Sequence, residues 1–81
     1  MIDVEGFKIY LHGLGYTPAV VRDICSRAKR ADKIQEFYSD DLYLYYLEKE
    51  NKFQILSTSI KSQLRKAVRL YTDYTSLKEK E

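Results

Sequence analysis

The 81-residue sequence predicts an all-α fold, a compact bundle of four helices. Apolar residues recur at three- and four-residue steps in four separate stretches, the mark of one buried face per helix. No stretch shows the strict alternation of a half-buried strand. Helix start and stop signals stand at the borders of these stretches, above all Thr17-Pro18 and Gly15. A chain of this length makes one domain, near the lower limit of what folds without staples. We assign that domain to residues 1–76 and treat 77–81, with its Lys-Glu-Lys-Glu end, as a charged tail that frays.

Helix one is predicted from about Asp3 to Leu14, because Val4, Phe7, Leu11 and Leu14 share one face. Gly15 is the expected stop, as a residue tolerant of positive φ, with Gly13 the other possibility. Helix two starts at Thr17, whose hydroxyl can cap free amides, and at Pro18, whose missing N–H costs nothing at a first helical position. Val21, Ile24, Ala28 and Ala31 form its apolar stripe, extended by Ile34 and Phe37. Helix three is expected after Ser39, with Asp40 and Asp41 in the first turn, where carboxylates offset the helix dipole. Its core face is read as Leu42, Tyr45 and Tyr46, with Tyr43 or Leu47 at the margin. The polar run Glu48 to Lys52 should end it, and Phe53, Ile55 and Leu56 should form an apolar connector. Helix four is expected from Ser57 or Ser59 to about Tyr74, buried along Ile60, Leu64, Ala67, Val68 and Tyr71.

Charge is nearly balanced, at a net of +2, but it is unevenly distributed. Arg22, Arg27, Lys29, Arg30 and Lys33 face only Asp23 and Asp32, and Lys61, Arg65, Lys66 and Arg69 stand in a segment without acids. Between the two segments Glu36, Asp40, Asp41, Glu48 and Glu50 gather. Two basic segments around an acidic one predict a dipolar molecule with one basic side. Eight basic residues, Arg22, Arg27, Lys29, Arg30, Lys61, Arg65, Lys66 and Arg69, are therefore candidates for contact with DNA phosphates. Arg27 and Arg30 are the candidates for base edges.

Eight tyrosines and no tryptophan are unusual in so short a chain. Rings with a polar tip suit core margins and protein interfaces alike. Tyr43, Tyr45 and Tyr46, beside their acidic neighbours, are the candidate surface for a protein partner or for self-association.

Catalytic and metal chemistry find no footing. With three glycines in all, there is no Gly-rich phosphate loop, and no Ser-His-Asp or Cys-His pattern stands out. His12 and Cys25 are each single, whereas a metal site needs three or four ligands. His12 is expected at the surface and Cys25 buried or half-buried on helix two. A single thiol, no opening leader pattern and no long apolar run lead to the expectation of a cytoplasmic protein. No cofactor, small-molecule substrate or membrane association is expected.

The stretch Phe7 to Arg30, F-K-I-Y-L-H-G-L-G-Y-T-P-A-V-V-R-D-I-C-S-R-A-K-R, resembles the opening of the core-binding domain of tyrosine recombinases and phage integrases. Phe7, Tyr10, Leu11, Gly15, Tyr16, Thr17, Val21 and Ser26 carry the resemblance. Ser59 to Tyr71, S-I-K-S-Q-L-R-K-A-V-R-L-Y, looks like the last helix of that domain. Ile24 and Ala28 depart from it, standing where Tyr and a larger aliphatic residue are usual. The resemblance implies an orthogonal, SAM-like four-helix bundle that grips DNA without cleaving it, since the recombinase catalytic domain is a separate unit. It also implies a mobile element or phage as the setting, with DNA recombination as the process.

Overall fold

The computed structural model describes residues 2–40 and 42–79, and these build five helices with no strand among them. They are α1 (Val4–Gly13), α2 (Pro18–Ile34), α3 (Tyr43–Lys49), α4 (Asn51–Gln54) and α5 (Thr58–Glu79). The all-α class stands as expected. The number of helices rises from four to five because the chain after Glu50 coils into one short turn, α4, which takes in the end of the polar run and buries Phe53. α2 and α5 form the most extensive contact, and α1 packs against both.

The predicted boundaries hold best where capping chemistry is strongest. Thr17 Oγ1 accepts from the N–H of Val20 at 3.4 Å, and Pro18 opens α2. α1 closes on Gly15 at φ +94°, which frees the Gly15 N–H to bond His12 and the Tyr16 N–H to bond Leu11. That pair of bonds satisfies carbonyls the helix end would otherwise leave open. Ser57 Oγ accepts from Ile60 N–H at the start of α5. α5 then runs past Tyr74 to Glu79, so residues 77–79 are helical; Lys80 and Glu81 lie outside the described residues.

α3 departs from expectation in both register and start. It begins at Tyr43, and Asp40 precedes it, its carboxylate accepting from Leu42 N–H at 2.8 Å. Asp41 lies outside the described residues. Tyr43 and Leu47 are the buried pair, whereas Leu42, Tyr45 and Tyr46 are each about half exposed, at 52%, 51% and 46%. The reason is a hydrogen bond. The Tyr43 phenol donates to the Gln35 carbonyl at 2.6 Å, satisfying a backbone group where α2 ends. Burial pushes its ionisation far upward.

The core has two parts. Phe7, Leu11, Val21, Ile24, Cys25 and Ala28 meet Ala67, Tyr71 and Tyr74 in one; Ala31, Tyr43, Leu47 and Phe53 meet Leu64 and Val68 in the other. Phe37 joins them, edge-on to Tyr71 (4.6 Å between centroids) and to Tyr43 (4.9 Å). The small Ala28 and Ala31 of α2 lie in the core with Ala67 of α5, as the stripe predicts.

Candidate functional site

The eight candidate cations do not share one environment. On α2, Arg22, Lys29 and Lys33 are exposed and separated by seven and four residues, so they fall on one line along the helix. The line spans about 16 Å at 1.5 Å per residue. Arg30, also exposed, lies one step further from the buried stripe, on the outermost line with Asp23. Among the described residues no ion pair engages any of these four cations. Lys33, part of the basic segment but outside the candidate set, belongs with them by this helical spacing. Arg27 is half-buried on the opposite flank, in line with Ile34, which places it away from the Arg22–Lys29 line.

The α5 cations have partners or neighbours of their own. Arg65 Nε pairs with the Glu48 carboxylate of α3, and its guanidinium lies over the Phe53 ring, 5.6 Å from the centroid. Lys66 is exposed, with Nζ 5.8 Å from the centre of the Tyr16 ring. Arg69 lines a cavity together with Asp40 and Asp73. Lys61 is half-buried. The Glu48 carboxylate cancels most of the field a phosphate would feel at Arg65, so this cation offers less usable positive charge than its residue type suggests.

Lys8, the one lysine or arginine of α1, belongs to neither basic segment. Its ammonium pairs with Glu5 one turn back, at 4.0 Å. Burial dominates at Cys25 and pushes its ionisation up, so this thiol is a poor nucleophile. His12 is exposed near the end of α1.

No family model, curated protein or solved structure matches the chain.

Of the tyrosine surface, Tyr43 is corrected to a core residue, 1% exposed, and presents nothing to a partner. Tyr45 and Tyr46 do face outward, their rings edge to face at 5.4 Å, with Lys49 Nζ 4.3 Å above Tyr45. Leu42 adds a third exposed apolar side chain. Among the described residues no group of three or more His, Cys, Asp or Glu is arranged to hold a metal, and no helix is long and apolar enough to cross a membrane.

Proposed function

We propose that this chain is a non-catalytic module that holds duplex DNA against the exposed face of α2. The observation that carries the proposal is the line Arg22, Lys29 and Lys33 with Arg30 beside it: four exposed cations, on one helix, with no ion pair among the described residues. Phosphate contacts need cations whose charge is not already neutralised, because affinity comes from the counterions they displace from the duplex. Arg30, on the outermost line, is the side chain assigned to a base edge. The resemblance of Phe7 to Arg30 to the recombinase core-binding domain supports the same reading, and with it an origin in a mobile element or phage.

The test is fluorescence anisotropy of a labelled random-sequence duplex, titrated with the full chain at low and moderate salt. The proposal expects a Kd in the micromolar range at low salt, weakening steeply as salt is added. Absence of binding at low salt overturns it.

A second reading rests on the outward Leu42, Tyr45 and Tyr46. Clustered exposed apolar side chains of this kind mark protein contact surfaces. If this surface rather than α2 carries the function, the Tyr45→Ala, Tyr46→Ala pair changes oligomeric state by light scattering and leaves DNA affinity unaltered.

A further inference from the structure

Arg69 is among the cations the sequence offers to phosphate, yet its surroundings suit a different ligand. It lines a surface cavity of about 170 Å³ with Asp40, Leu44, Val68, Thr72 and Asp73, between the start of α3 and the middle of α5. Asp73 stands one turn beyond Arg69 on the same helix, at the spacing where opposite charges ordinarily meet. Among the described residues, however, no ion pair joins Arg69 to either carboxylate. One oxygen of Asp40 is occupied by the Leu42 N–H. Thr72 donates its hydroxyl proton to the Val68 carbonyl at 2.8 Å, so only its lone pairs remain for a ligand. Buried Val68 and half-buried Leu44 supply an apolar wall.

The cavity therefore holds one cation, two anions and an apolar wall, with the charges not closed on one another. A phosphate approaching Arg69 meets two carboxylates, and a simple cation approaching the carboxylates meets Arg69. A molecule bearing both charges meets neither obstacle. At 170 Å³ the cavity is below the roughly 300 Å³ at which pockets for drug-sized ligands begin.

We propose that this cavity binds a small zwitterion, specifically a free aliphatic α-amino acid. Its carboxylate lies on Arg69, its ammonium on Asp73 and Asp40 with Thr72 Oγ1 accepting, and its side chain on Leu44 and Val68. This site is independent of the α2 cation line, and its failure leaves the DNA reading untouched.

The experiment titrates the ¹⁵N-labelled full chain with L-leucine and follows the amide resonances of Leu44, Arg69, Thr72 and Asp73. The proposal expects saturable shifts confined to these residues at millimolar leucine. Isopentylamine and 4-methylpentanoate, each keeping only one of the two charges, should bind at least about tenfold more weakly. Arg69→Gln and Asp73→Asn should each lose the leucine response while a dispersed spectrum reports an intact fold; Arg22→Gln should keep it. No saturable shift, equal binding by the single-charge analogues, or full leucine binding by a folded Arg69→Gln protein overturns the site.

Discussion

The Tyr74 phenol donates to the Asp3 carboxylate at 2.6 Å across 71 residues of sequence, in the space where a side chain on Gly6 would stand. Asp3 also accepts from the Gly6 N–H as the cap of α1 and from Lys78 at 3.2 Å, and its own N–H donates to Tyr71 at 2.7 Å. One residue at the beginning of the chain thus fastens α1 to the last turns of α5.

That relationship reverses the usual effect of alanine in a helix. A Cβ on Gly6 would lie 1.9 Å from Tyr74 Oη and 2.4 Å from the Asp3 carboxylate. The Tyr74 ring is held by Phe7, Tyr10 and Tyr71 and has little room to swing aside. Gly6→Ala is expected to cost about 2 kcal/mol in urea unfolding. Gly13→Ala, at the other end of the same helix with nothing within 4 Å of its Cβ, is expected to gain about 0.5 kcal/mol.

The clasp also contributes to the pH dependence of stability at both ends. Hydrogen bonds from Tyr74, then Gly6 and Lys78, hold the Asp3 carboxyl below its usual range. Its stabilisation is therefore complete above the ordinary aspartate pKa of about 4 and is lost as pH falls through the lower folded value. At the alkaline end the bonds to Asp3 hold both Lys78 and Tyr74 above their usual values. Lys78 contributes below the ordinary lysine pKa and loses its contribution as pH rises through its folded value. The fold disfavours the Tyr74 phenolate, so stability falls there too as pH rises. Asp3→Asn should flatten the acid limb of a melting-temperature profile against pH; an unchanged limb places the acid sensitivity elsewhere.

The short turn α4 separates two residues that look alike in sequence. Phe53 is 1% exposed and Ile55 is 81% exposed. Phe53→Ala should cost about 4 kcal/mol in chemical denaturation, and Ile55→Ala no more than about 0.5 kcal/mol.

Legibility in the sequence followed the strength of local chemistry. Thr17-Pro18 and Gly15 each mark a specific backbone requirement, so the end of α1 and the start of α2 could be read from local sequence, whereas α2 stops at Ile34, short of the Phe37 to which its predicted apolar stripe extends. Leu42 to Leu47 is apolar nearly all round, and both 42-45-46 and 43-47 are valid helical faces. The choice fell to the Tyr43 phenol and the Gln35 carbonyl, a partner eight residues away that no helical period reveals. The cation sets show the same limit. The α2 line follows from seven- and four-residue spacing, but the pairing of Arg65 with Glu48 and the placing of Arg69 beside Asp40 depend on how α3 meets α5.

The salt dependence of DNA binding in charge-neutral variants tests the central claim most directly. Each phosphate contact contributes about 0.9 to the slope of log K against log salt. Arg22→Gln with Lys29→Gln should reduce that slope by about 2, while Arg65→Gln, whose cation already faces Glu48, leaves it unchanged. A slope that survives the α2 pair and falls with Arg65→Gln would contradict the account and move the interface to α5.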